Sequence, residues 1–105
     1  TGMHRLGFNE SGIAQLTQIL QQSKSVKVQS IFSHLAGSDM ADFDSFTQEQ
    51  SKLYKKMSEQ LIAGLGYQPI RHLCNSSAIS RFPALECMVW IRIRKCRKNY
   101  KMWLP

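Results

Sequence analysis

Helical stripes alternate with short β-branched runs along this sequence, and that alternation limits the fold more than any other feature. Ile13, Leu16, Ile19 and Leu20 recur at helical spacing, and the pattern fades near Ser23. Asn9 or Ser11 can cap the start, because either side chain can accept from a free backbone N–H. Val26, Val28, Ile31 and Phe32 predict a strand over 26–33, with His34 at or just past its end. A polar, acidic loop over 35–45 leads into a second helix. Thr47 and Gln50 have capping-box spacing there, and Asp44 is an equally good cap. Phe46, Leu53, Met57, Leu61 and Ile62 trace its apolar face as far as Leu65. Gly66 stops it, and Pro69 lies just beyond. Residues 70–74 predict a second strand ending at Asn75-Ser76-Ser77. Residues 79–85 predict a connector broken by Pro83, and 87–94 a third strand. Helices alternating with short strands are the rhythm of a parallel α/β sheet.

The 105 residues suffice for one core but not for a complete (β/α)8 barrel, which takes roughly 250. No basic stretch leads into an apolar run as in a signal peptide, and no window approaches the roughly 18 apolar residues of a membrane span. The expectation is a soluble, cytoplasmic chain with no membrane partner. Cys74, Cys87 and Cys96 are odd in number and irregularly spaced, so reduced thiols are expected. Without a CxxC pair no metal site is expected. The formal charge of +7 is uneven: residues 1–85 hold 8 Lys/Arg against 6 Asp/Glu, whereas 86–105 hold 6 against the single Glu86. The basic character belongs to the tail.

In a parallel α/β sheet ligands bind beyond the carboxyl ends of the strands. Two such ends carry polar groups here, Ser33-His34 and Asn75-Ser76-Ser77. Alone, His34 reads as a strand-end histidine, Asn-Ser-Ser as turn chemistry and Arg5 as a surface charge. The triplet also offers hydroxyls and backbone N–H groups to a phosphate. His4 and His72 read as structural.

TGMHRLGF at 1–8, SHLAGSD at 33–39, FTQEQ at 46–50, HLCNSSAISRFP at 72–83 and MV at 88–89 resemble, in order and spacing, the barrel domain of bacterial alanine racemases. The resemblance implies an internal fragment over residues 1–93, about three βα units from the second half of a (β/α)8 TIM barrel. Residues 94–105 then form a divergent basic tail. Members of that family are homodimers that interconvert L- and D-alanine with pyridoxal phosphate, supplying D-alanine for peptidoglycan. The cofactor is held on a lysine as a Schiff base and acts as an electron sink. That lysine and a tyrosine from the partner subunit exchange the α-proton from opposite faces. By the resemblance, Arg5 contacts the phenolic oxygen, His34 packs on the pyridine ring, Asn75 and Ser76 line the pocket with Ser76 a donor to the phosphate, and Ile93 offers its backbone to the phosphate. Ser77, Ala78, Arg81, Phe82 and Pro83 support that loop.

The family's lysine and tyrosine are not among the 105 residues, so no catalytic base is assigned and the chain alone is expected to be inactive. The last strand also departs from the family's Arg-x-Gly-Ile after Met-Val. Trp90 stands where the family has the arginine that donates to the pyridine nitrogen, and Arg92 stands for a glycine beside the phosphate. A truncated or degraded gene product is the expectation from these differences. Another fold-type-III amino-acid racemase is an alternative. So is a non-catalytic module in which RIRKCRKNYKMW meets nucleic acid or an anionic surface. A solvated tail is the default for such a charge run, so nucleic acid is not an expected partner. A barrel piece also leaves its inner face and sheet edges open, from which marginal stability and self-association are expected.

Overall fold

A computed structural model describes residues 6–83 and 85. Asn9 starts the folded part: its Oδ1 accepts from the Gly12 N–H at 3.0 Å and caps a 3-10 turn at Glu10–Gly12. This turn runs directly into helix α1 (Ile13–Gln22). Strand β1 (Ser30–Phe32) follows, then a second 3-10 turn and the long helix α2 (Asp44–Leu65). Strand β2 (Ile70–His72) and helix α3 (Ser76–Arg81) complete the described elements.

The two strands are parallel, with Ser30 opposite Ile70 and Phe32 opposite His72. A parallel pair needs a crossover of a dozen or more residues, and α2 supplies it. The Ile70 N–H donates to Gln29 and the Ser33 N–H to His72. In this register Ser30 and Phe32 turn their own N–H and C=O groups away from β2, towards an edge unpaired among the described residues. Beside that edge lies an open, largely apolar groove of about 490 Å³. Its walls include Ile13 and Leu16 of α1, Met57 and Leu61 of α2, and Phe32 itself. Phe32 is 78% exposed, as expected for a sheet face that meets no second layer here.

Two apolar clusters hold the layers together. Ile13, Met57 and Leu61 join α1 to α2; Leu35, Tyr54, Leu73 and Ala78 join α2 to the strand ends and α3. Ile31 packs against both. Gly66 takes φ 73° after Leu65, and its N–H closes the helix on Ile62. This is the left-handed stop expected of a glycine at that position.

Several expectations are corrected. The strands are three residues each, shorter than 26–33 and 70–74, because pairing extends only where both chains are extended side by side. Residues 76–81 are helical, so the helix occupies much of the expected connector; Asn75 caps it, and Pro83 falls after its end. Thr47 and Gln50 make no capping box. The N-cap is Phe43 without a side-chain bond, Asp44 is the first helical residue, and both Thr47 and Gln50 are buried inside α2. Ile19 and Phe46 are exposed, at 57% and 38%. Cys74 is disulfide-bonded, against the expected free thiol; separation in sequence does not report separation in space. The predicted strand over 87–94 lies outside the described residues. Among the described residues, no helix is long and apolar enough to cross a membrane, and no three metal-ligating side chains cluster.

The packing of α1, α2 and the sheet generates two predictions. Gly64 of α2 lies against Thr17 of α1, and a Cβ there would fall on the Thr17 Cγ2 methyl. Turning Thr17 away would cost its hydrogen bond to the Ile13 carbonyl, 2.8 Å. Gly64→Ala should therefore destabilise by about 1–3 kcal/mol despite alanine's better helix propensity. In a Thr17→Ala background the same change should stabilise, as read from urea midpoints. Burial pushes the Tyr54 phenol above its ordinary 10.0, opposed by the His72 backbone and by Arg71. The folded chain thus holds this proton more tightly than the unfolded one. The Tyr54 contribution is full below pH 10 and is lost as pH rises through the raised value. Urea midpoints measured from about pH 9 to about pH 11 should fall more steeply for the parent than for Tyr54→Phe.

Candidate functional site

Because β1 and β2 are parallel neighbours, their carboxyl ends lie side by side, and the Ser33 N–H still bonds the His72 carbonyl at 3.1 Å. His34 leaves β1 at this end. Asn75 and Ser76 follow β2 at the same end, where the chain turns into α3. The sheet therefore brings His34, Asn75 and Ser76 to one edge. Arg5 and Ile93 lie outside the described residues.

The segment from His34 to Ser38 is fixed from two sides by carboxamides. From α2, Gln50 is 2% exposed; its Oε1 accepts from the Ala36 N–H at 3.1 Å and its Nε2 donates to the His34 carbonyl at 3.3 Å. From the start of α3, Asn75 Nδ2 donates to the Leu35 carbonyl at 3.3 Å. Its Oδ1 accepts from Ser38 Oγ at 2.8 Å and from the Ala78 N–H at 2.9 Å. A backbone N–H can only donate, so the Ala36 and Ala78 bonds dictate which way each carboxamide points. Arg81 adds a third tie: Nη1 donates to the Ser38 carbonyl and Nη2 meets Asp44, both at 2.7 Å. Arg81 thus ties the end of α3 to the loop after β1.

Packing closes what hydrogen bonds hold. Leu35 is 1% exposed and seats the loop in the Tyr54 cluster. A Cβ on Gly37 would meet Phe43 Cβ at 2.7 Å, so only glycine lets the loop pass the 3-10 turn. Thr47 Oγ1 is buried beneath, with no partner among the described groups.

Against this rigid frame, the His34 imidazole and the Ser76 hydroxyl are turned outward. Both residues are exposed, and neither side chain has a hydrogen-bond partner among the described residues. The arrangement can present a flat ring and a hydroxyl donor to a ligand lying across the strand ends. Asn75, in contrast, spends both acceptor positions of its Oδ1 and one N–H on the protein. Gln50 and Ser38 are the site-forming residues that the sequence did not single out. A signal was present: 47, 50, 54, 57 and 61 run at strict three- and four-residue spacing, so Gln50 stands within the buried stripe.

The profile of the family described as alanine racemase, N-terminal domain, matches residues 1–93. Among curated proteins, alanine racemase 1 of Oceanobacillus iheyensis is 35% identical over 89 residues, covering 82% of this chain and 23% of that protein. The alanine racemase of Sorangium cellulosum is 38% identical over 85 residues, covering 80% of this chain and 22% of the relative. That of Acidithiobacillus ferrooxidans is 33% identical over 94 residues, covering 88% and 24%. The chain thus spans under a quarter of the length of these relatives. No solved structure matches it. The mixed helix and strand order, the parallel strands and the family match agree, and the chain belongs to the alanine racemase N-terminal domain family, as a fragment of its members' length.

Proposed function

We propose that residues 1–93 are a stretch of the (β/α)8 barrel of a pyridoxal-phosphate-dependent alanine racemase, and that the edge carrying His34 and Ser76 faces the cofactor. The observation that carries this reading is a pair of exposed side chains, an imidazole and a hydroxyl, unpartnered among the described residues at the carboxyl ends of two parallel strands. That donor set fits a phosphorylated pyridine. When bound, pyridoxal phosphate supplies the electron sink that makes the α-proton of alanine labile.

The chain's own groups bind and orient. With the cofactor bound, the His34 ring would pack against its pyridine ring, and the Ser76 hydroxyl would donate to its phosphate. Arg5 balances charge on the phenolic oxygen, and the Ile93 backbone adds a phosphate contact. Trp90 in place of an arginine leaves the pyridine nitrogen without a charged donor. The remaining parts of this reading are a cytoplasmic homodimer making D-alanine for peptidoglycan, with residues 94–105 a basic tail outside the barrel. None of the 105 residues is assigned as the base that removes or returns the α-proton.

Pyridoxine 5′-phosphate lacks the aldehyde, so it reports the pocket without adducts on surface lysines. The parent chain should bind it, and Ser76→Ala should weaken binding about tenfold or more, the worth of a hydrogen bond to a charged group. His34→Ala should weaken it by roughly three- to tenfold, the range of a ring stack. Chiral analysis of L-alanine incubated with the chain and pyridoxal phosphate should show no D-alanine. Absence of binding by the parent chain, or affinity in both variants unchanged from the parent, would overturn the assignment.

A further inference from the structure

The described residues offer an apolar groove and a strand edge unpaired among them, but the observations reach furthest at the loop that carries His34. We infer that Gln50 is a positioning residue for His34, and that Asn75 holds the same loop from the other side. The inference rests on the proposed ligand-facing role of His34 in its binding arm only.

The geometry is that of a strand partner built from a side chain. One carboxamide can accept and donate in the same plane, as a backbone amide does in a ladder. Gln50 uses both halves, towards the Ala36 N–H and the His34 C=O. Those two backbone groups flank Leu35, whose own carbonyl is taken by Asn75. Residues 34, 35 and 36 are therefore pinned in turn from α2, α3 and α2 again. His34 carries an exposed ring on a backbone that α2 holds from beneath. The ring is free to meet a ligand because the restraint is applied to its carbonyl.

The rest of the loop is consistent with this division of labour. Asn75 Oδ1 already serves Ser38 Oγ and the Ala78 N–H, and one Nδ2 N–H serves the Leu35 carbonyl, so the protein sets the orientation of its carboxamide. Its neighbour Ser76 remains outward and unpartnered among the described residues. Asn75 orders the loop, and Ser76 is left to bind.

The test combines amide exchange with a double-mutant cycle on the full chain. Gln50→Met preserves length and removes both hydrogen bonds. Ala36 amide exchange should then quicken by about tenfold or more relative to the amides around Leu61 of α2, since the Gln50 acceptor is lost. Pyridoxine 5′-phosphate affinity should fall to about the level of His34→Ala. The double variant His34→Ala/Gln50→Met should bind no more weakly than His34→Ala alone, because Gln50 acts through His34. A general loss of structure would instead add to the loss at His34. If Gln50→Met does not fold, Gln50→Glu, assayed at a pH where its carboxyl is ionised, keeps the Ala36 acceptor and loses the His34 donor. It should keep Ala36 protected while binding as weakly as His34→Ala. Additive losses, or an Ala36 amide unaffected by Gln50→Met, overturn the inference. If the parent chain fails to bind the probe, the cofactor reading falls, while the exchange arm still decides whether Gln50 sets the loop.

Discussion

Three polar side chains on successive turns of α2 tie the helix to the sheet, and the rest of the structure is arranged around them. Gln50 holds the loop after β1. Tyr54 donates from its hydroxyl to the Ile31 carbonyl at 2.8 Å. Ser58 sits under β2, where Arg71 Nη1 approaches its Oγ at 3.5 Å. All three α2 residues are buried. Burying a polar group without a partner costs more than the hydrogen bond gains, so the Gln50 and Tyr54 contacts must be made where they are or the helix must shift, whereas Ser58 Oγ is also satisfied within α2 by the Lys55 carbonyl at 3.0 Å. Apolar packing alone would let α2 slide along a sheet only three residues deep. The polar ladder fixes its register.

Ile31 shows how tightly the pieces depend on one another. It packs against both apolar clusters, and its carbonyl receives the Tyr54 hydroxyl. The α1–α2 pair, tied by the Gln21 amide on the Gly64 carbonyl and by the Lys56–Glu10 ion pair, meets the strand end region through this residue. The exposed ion pair adds little, since solvent screens it. The burial of Met57, Leu61 and Ile13 does the joining.

How much was readable in advance varies with the kind of signal. The two helices, the parallel strands and the Gly66 stop follow from periodicity and from a residue type with one conformational use. The placement of His34 and Ser76 at strand ends follows from the same pattern. Gln50 and Thr47 mislead because their spacing fits a local capping motif, while tertiary contact puts both inside the core. Asn75 has a ligand role by resemblance, and the structure adds bonds to residues 37 and 40 positions away, Ser38 and Leu35. No local pattern encodes a partner at that distance. Ile19 and Phe46 have the right spacing for burial but face outward, because hydrophobic period gives a face and not what covers it.

Gly37 has a consequence for how this family would be studied by mutation. Its hydrogen atom leaves the space that Phe43 fills, and any side chain would push the 3-10 turn away from the loop. A saturation scan scored by ligand binding would show intolerance at Gly37 as severe as at a contact residue. So would Leu35, sealed at 1% exposure. In such a scan the footprint of the pocket would be drawn too large, its outline tracing the scaffold that holds His34 and not the surface a ligand touches. Separating the two takes a second phenotype, abundance of folded chain, recorded for the same library.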